Sequence, residues 1–499
     1  MHEIGSDPLA GTFTLPSGQA LPGNLTLGES SPLLKVYARD FIKVPFQTTC
    51  DVQGTLYDRT NVSLLECTTS ALTSYGKSDG GGSHYSVDVY PQFVLTGDVH
   101  ITSEEALVRA VHFEISDATA LFFDTEAFGM VLDARPHIEK IASIDSPTGS
   151  LDDALYPEIY YYTGKRSIFS ANTVLGKVSA SHCPSMQLPG PHGFRMDNSI
   201  QLSIEFEEPR TIQHTIQSIV SIRRFAEILI GRPQSFAKMN LRLTSDDEHP
   251  LFLTVHMPNP PARYASRSSL GPQPTDVLIR AASDAEQIQR VIAGWLDRQD
   301  SWNDARFRFA TSFEQQNFYD VDRLVGAANM FDILPADAIS PVSPLRHEIA
   351  DVRDSSREAF LQLPPSPERD SALSALGRLG KHNLKQKMRR RATVILDAVG
   401  EHFPELEQVV DEAVNCRNHY VHGSQSQISY DENFACVMFF VDALEFVFAA
   451  SDLIDAGWDI NEWLGRSGSL SHPFTRFRFG YQENLDVLKS LLGAGPPTR

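Results

Sequence analysis

Asn415-Cys416-Arg417-Asn418-His419-Tyr420-Val421-His422-Gly423 closes a stretch with helical period. Leu406, Val409, Val410, Ala413 and Val414 recur at helical spacing from Pro404 to His422, and Gly423 stands where a helix stops. Asn418 and His422, four residues apart, share one helix face. Arg417 lies about 140° round the axis from His422, a gap that a long guanidinium spans by reaching round. The local alternative is an ordinary helix end, with Arg417 paired to Asp411 or Glu412 and His422 set against the helix C-terminus.

Working outward, the same period governs the whole C-terminal half. Phe318, Val321, Leu324, Val325, Ala328 and Phe331 form one stripe, and residues 345 to 363 predict a second helix before Pro364-Pro365. A third helix is expected from Leu373 to Val399. The fifth, Asp431 to Asp455, is apolar around most of its circumference, so either its own bundle or a partner must bury it. Upstream the period changes to two. Ile200, Leu202, Ile204 and Phe206 alternate with polar residues, as do Tyr85, Val87 and Val89, and Val111, Phe113 and Ile115. Asp79 to Ser83 reads as a loop. One helix, Thr211 to Ile230 with Gly231 as its cap, interrupts this pattern. The fold class is therefore α+β, a β-rich N-terminal domain followed by an all-α helical bundle. The expected divisions are a β-rich domain over 1–255, a Pro-rich linker and helical start over 256–300, a bundle over 301–465 and a tail over 466–499.

Charge narrows the function classes. The chain of 499 residues carries a net charge of -20, which excludes a general nucleic-acid coat protein. Yet residues 371 to 396 hold seven cations and no acid: Arg378, Lys381, Lys385, Lys387, Arg389, Arg390 and Arg391. Lys381, Lys385, Arg389, Arg390 and Arg391 are the candidate contacts to a phosphate backbone, against the plainer reading of a solvated helix face. The five cysteines are scattered and read as reduced cytosolic thiols, and no signal peptide opens the sequence, so a cytoplasmic location and no membrane span are expected. Gly164-Lys165, Gly176-Lys177 and Gly380-Lys381 lack the upstream glycine of a phosphate-binding loop, and neither HExxH nor GxSxG occurs. No metal site and no cofactor are expected. A second Arg-to-His spacing, Arg466 to His472, lies in a stretch without helical period and is set aside.

Arg417, Asn418 and His422 in this setting resemble the HEPN superfamily, whose signature is an arginine, a polar residue and, a few positions on, a histidine. Gly54-Thr-Leu-Tyr-Asp-Arg-Thr-Asn-Val-Ser-Leu-Leu-Glu-Cys67 and Tyr90-Pro-Gln-Phe-Val-Leu-Thr-Gly-Asp-Val-His100 resemble the N-terminal domain of ApeA-type proteins. The resemblance covers about residues 10 to 465. It implies a metal-independent endoribonuclease in which the ribose 2′-OH attacks the adjacent phosphorus. His422 would serve as base or acid, since histidine as a residue type titrates near neutrality. Arg417 would stabilise the phosphorane charge, and Asn418 would orient His422 or bind phosphate. Further implied are RNA as partner, with transfer RNA among the open choices, a homodimer with a composite active site or a larger homo-oligomer, and anti-phage (abortive infection) defence. In that role the N-terminal domain senses a phage-derived trigger or restrains the nuclease. Two other readings stand beside it. One is a catalytically silent HEPN scaffold that binds RNA or dimerises. The other is a functional N-terminal domain merely dimerised by its bundle.

Overall fold

The computed structural model describes residues 7–28, 31–43, 48–70, 72–75, 84–142, 156–191, 193–245, 249–258, 271–339 and 345–493. The loop expected at 79–83 and most of the Pro-rich segment lie outside them. The chain divides into two units, residues 1–297 with 467–472, and residues 298–466 with 473–499.

The first unit is built on strands. They are β1 (Leu9–Thr14), β2 (Ala20–Thr26), β3 (Leu33–Ala38), β4 (Cys50–Leu56), β5 (Asn61–Thr69), β6 (Thr73–Tyr75), β7 (His84–Tyr90), β8 (Phe93–Gly97), β9 (Val108–Ile115), β10 (Phe128–Val131), β11 (Ile159–Tyr162), β12 (Ser167–Thr173), β13 (Gly176–Gly190), β14 (Gly193–Arg210), β15 (Phe236–Leu243) and β16 (Phe252–His256). Its helices are α1 (Ala118–Leu121), α2 (Arg135–Ala142), α3 (Ile212–Ile230) and α4 (Ala285–Asp297).

Pairing runs β5-β4-β1-β2-β3-β7 and returns to β5, where Thr68 faces Tyr90, so six antiparallel strands close a barrel. Closure removes free edges. The inward alternation of Phe13, Leu25, Leu34, Val36, Val52, Leu64, Val87 and Val89 fills it. Phe13 needs Gly54 opposite it, because a Cβ there would stand 2.3 Å from Phe13 Cδ1. From β5 the sheet continues through β8, β16, β15, β9, β14 and β13 to β12. Ile200, Leu202, Ile204 and Phe206 of β14 are all buried, as their alternation predicts. Helix α3 packs on β9 and β14. Thr211 caps it by accepting from the His214 N–H, and Gly231 ends it at φ 87.

The second unit is helical: α5 (Gln299–Phe313), α6 (Val321–Asp332), α7 (His347–Leu361), α8 (Pro367–Arg378), α9 (Leu384–Val399), α10 (Leu406–His422), α11 (Phe434–Asp455), α12 (Ile460–Leu464) and α13 (Pro473–Gly493). Helix α11 is the central member, covered by α5, α6, α9, α10 and α13. Among the described residues it alone is long and apolar enough to cross a bilayer, and 78% of its most apolar window is buried inside the fold. Its own bundle is thus what covers it. Its acids are matched internally. Asp452 receives Arg306 at 2.9 Å, and Glu445 receives Arg323 at 2.9 Å, every one of these side chains being 1–2% exposed.

Two features differ from the sequence reading. The helix expected from Leu373 to Val399 is two helices. Gly380 adopts φ +85 between them, and Asn383 starts α9 with a capping box closed by Gln386. Residues 473–493, read as part of a tail, form α13. Its Phe477 and Tyr481 pack on Phe403 and Phe439. The stretch before it is also fixed. In the first unit His472 is fully buried and donates to the Ile228 carbonyl at 2.9 Å. That burial explains the second Arg-to-His spacing without chemistry.

Candidate active site at the end of helix α10

Helix α10 buries Leu406, Val409, Val410, Ala413, Val414 and Cys416, and this leaves its last turn half-buried to exposed. Gly423 ends it at φ 65, a backbone conformation glycine adopts at no steric cost. The chain then turns away from the axis and leaves His422 exposed.

Arg417 does reach round. Its Nη1 donates to His422 Nε2 at 3.1 Å and to Asn418 Oδ1 at 3.1 Å, and its Nη2 donates to Asn329 Oδ1 of α6 at 3.4 Å. A guanidinium has no acceptor and stays charged, so it can only donate. His422 Nε2 must therefore be the bare nitrogen, with the ring proton on Nδ1. An imidazole nitrogen at an exposed helix end can accept a proton, and the guanidinium beside it can meet an anion. Asn418 holds Arg417 rather than His422. His419 turns elsewhere. Its Nδ1 donates to the Ser424 carbonyl at 2.9 Å and its ring packs edge-on against Tyr420 and Tyr430. These contacts secure the turn after the helix.

Neither acid named in the local alternative touches Arg417. Asp411 is taken by Arg389 through both carboxylate oxygens. Lys385 donates to Asn415 Oδ1 at 2.8 Å. The pairs 389 with 411 and 385 with 415 show that α9 and α10 run antiparallel, so the start of α9 lies beside the motif end of α10.

The basic segment is more divided than its sequence suggests. Lys381 and Arg390 are exposed and without an ion pair among the described residues. Lys381 sits in the connection before α9, so Arg378, Lys381, Lys385 and Arg389, though three or four residues apart in sequence, do not share one helix face. Arg389 is exposed but bound to Asp411. Arg391 is the clear correction. It is 2% exposed, with Nε on Ser451 Oγ at 2.9 Å, Nη1 on the Ala338 carbonyl at 3.2 Å and Nη2 on Asp455 at 2.7 Å. No phosphate can reach it, and its guanidinium, 5.1 Å from the Trp302 ring centre, belongs to the core.

Sequence reasoning missed Asn329. It lies 88 residues before Arg417 on a helix whose stripe shows only its apolar side, and no local pattern marks it. Among the described residues no group of three His, Cys, Asp or Glu side chains is placed to hold a metal ion.

No curated protein and no solved structure matches the chain. Two family models do. The one described as ApeA N-terminal domain 1 matches residues 8–295, and the one described as Apea-like HEPN matches residues 327–462, a span that contains Asn329, Arg417, Asn418 and His422. HEPN domains as a family have nuclease- and RNA-related functions. With more than half its length in the first match and its helical bundle in the second, the chain belongs to the ApeA-like HEPN family.

Proposed function

We propose that the chain is a metal-independent endoribonuclease acting through Arg417 and His422. The observation that carries this reading is the 3.1 Å contact between Arg417 Nη1 and His422 Nε2 at an exposed helix end. When RNA enters, Arg417 exchanges His422 for a non-bridging phosphate oxygen, and the freed Nε2 takes the proton of the ribose 2′-OH. The 2′-oxygen then bonds to phosphorus while the bond to the 5′-oxygen breaks. The guanidinium offsets the charge of the phosphorane. The 5′-oxygen leaves as a hydroxyl, its proton supplied by an imidazolium, for which His422 of a second copy of the chain is the candidate. The products are a 2′,3′-cyclic phosphate and a 5′-OH end, and DNA, lacking the 2′-OH, is not cut.

Lys381 and Arg390 serve this reading as contacts to the RNA backbone, while Lys385 is held by Asn415. A homodimer would bring two such helix ends to one groove. The proposed setting is anti-phage defence in the cytoplasm, with the N-terminal domain as sensor or restraint.

The test is incubation of the full chain with total bacterial RNA in EDTA, beside His422→Ala, with mapping of the new ends. Discrete 5′-OH ends absent from the variant support the proposal. Cleavage that persists in His422→Ala refutes the site. Silence of both proteins, in buffer and in extract of phage-infected cells, favours a non-catalytic RNA-binding scaffold.

A further inference from the structure

At one end of the six-stranded barrel, where β2 begins, β3 ends and β7 begins, lies a cavity of about 580 Å³. This volume falls in the range of small-ligand sites, and barrel mouths are among their usual places. The strand period explains its lining. Leu34 and Val36 point into the barrel core, so Lys35 and Tyr37 of β3 point outward, with Arg39 next in the same alternation. Across the ladder Tyr37 faces Ser86, and Ala38 faces Tyr85. Leu21, Ala38 and Tyr85 supply an apolar floor. Phe41, 61% exposed, stands edge-on to Tyr85 with ring centres 6.0 Å apart. Tyr37 is 42% exposed.

Gln19 is held by the Phe41 carbonyl and the Lys43 N–H, but other polar groups at the rim are uncommitted. Among the described residues Tyr37, Arg39, Asp40 and His84 have no side-chain hydrogen-bond or ion-pair partner. Lys35 makes only a loose pair with Asp88 at 3.9 Å. In a chain of net charge -20, a mouth presenting Lys35 and Arg39, with Asp40 as the one acid in its lining and Asp88 only loosely paired to Lys35, is set for an anion. The exposed tyrosine and phenylalanine rings add flat stacking surface, and Asp40 can accept from an amine. A cationic ligand would meet Lys35 and Arg39 unfavourably. An acyl chain would leave the stacking rings and Asp40 unused.

We propose that this barrel mouth binds a free nucleoside phosphate. Its base stacks on Tyr37, its exocyclic amine donates to Asp40, and its phosphates meet Lys35 and Arg39. The site lies wholly within the first unit, and the proposal stands whether or not the bundle cuts RNA.

The experiment is isothermal titration of the full chain in EDTA with ATP, inorganic tripolyphosphate and a short oligoribonucleotide. The binding is repeated with Tyr37→Ala and Arg39→Glu, exposed positions whose folding is checked by circular dichroism. The expected result is saturable ATP binding, weakened at least about tenfold by each variant, with tripolyphosphate at least about tenfold weaker than ATP. Four results would each overturn the proposal. They are no saturable ATP binding at millimolar concentration, ATP binding unchanged in both variants, tripolyphosphate binding as well as ATP, and oligoribonucleotide binding that depends on Tyr37 but that ATP does not displace.

Discussion

Arg417→Lys separates charge from geometry at the motif. The guanidinium serves three acceptors from two nitrogens, Asn418 and His422 through Nη1 and Asn329 through Nη2, at 3.1, 3.1 and 3.4 Å. A lysine keeps the charge but carries one nitrogen, which cannot stand at both positions. The stability effect is small, because the site is at a half-exposed helix end and a net hydrogen bond contributes about 0.5–1.5 kcal/mol. The loss is therefore about 1 kcal/mol. The chemical effect is larger, since a misplaced donor no longer meets the charge that develops at phosphorus. Removing one such preorganised donor costs about 10²–10³ in rate, or about 2.7–4 kcal/mol of transition-state stabilisation. Single-turnover cleavage of a labelled RNA, with thermal melting alongside, measures both. A Lys variant within about threefold of the wild-type rate would refute the geometric role of Arg417. One that melted several kcal/mol lower would show the contacts to be mainly structural.

The remaining predictions concern charge. Lys381→Ala with Arg390→Ala lowers the magnitude of the slope of log K for single-stranded RNA against log salt by about 1.4, since each lost phosphate contact contributes about 0.7; an unchanged slope, read by filter binding across a salt series, would remove both from the interface. Arg391→Met leaves that slope alone and destabilises the bundle by about 2–3 kcal/mol, because Ser451, Ala338 and Asp455 lose their donor; denaturant melts check it. Asp452→Asn strips the carboxylate from buried Arg306 and from Arg298, and costs about 3–5 kcal/mol by the same assay. Burial, then the nearby Glu445, pushes the Asp442 carboxyl up to about 7, while the Tyr319 hydroxyl, donating at 2.8 Å, opposes the rise. A raised acid makes the fold bind more protons than the open chain, so its stabilisation is full below about pH 4 and is lost as pH rises towards about 7. Asp442→Asn, which keeps an acceptor for Tyr319, should raise the melting temperature more at pH 8 than at pH 5; an equal gain at both would contradict this.

What the sequence shows plainly is whatever depends on local period. Helix α3 announces itself by its apolar spacing and by Gly231, and β14 by four alternating apolar residues. The end of α10 is visible because Gly423 follows the last apolar turn. What stays hidden depends on distant partners. Nothing near Arg391 separates it from Arg390, yet one residue step, about 100° round the helix, puts the first in the core and leaves the second in water. The α11 groups that fix this, Ser451 and Asp455, stand some sixty residues away. The division of the basic stretch at Gly380 was legible in principle, since Gly380 and the Asn383–Gln386 box are a stop and a start three residues apart. The helical spacing of Arg378, Lys381, Lys385 and Arg389 across that break masked it. Barrel closure was not legible, because it rests on the two-residue pairing of β5 with β7, and alternation identifies strands without naming their neighbours.

The fate of those seven cations bears on how the site would hold RNA. Arg391 is spent on the core, Arg389 on Asp411, Lys387 on the Asp332 carbonyl and Lys385 on Asn415. Arg378, Lys381 and Arg390 remain exposed and uncommitted among the described residues. A few surface cations on a chain of net charge -20 give weak, salt-sensitive attraction for a polyanion. One bundle would therefore hold RNA poorly, and two facing one groove would double the local positive charge while adding no contact that a single bundle lacks. That arithmetic favours a nuclease whose affinity, as well as its second imidazole, comes from pairing. Cleavage rates that rise with the square of chain concentration at low concentration would express both dependences at once, whereas a first-order dependence with full activity would mean that one helix end suffices.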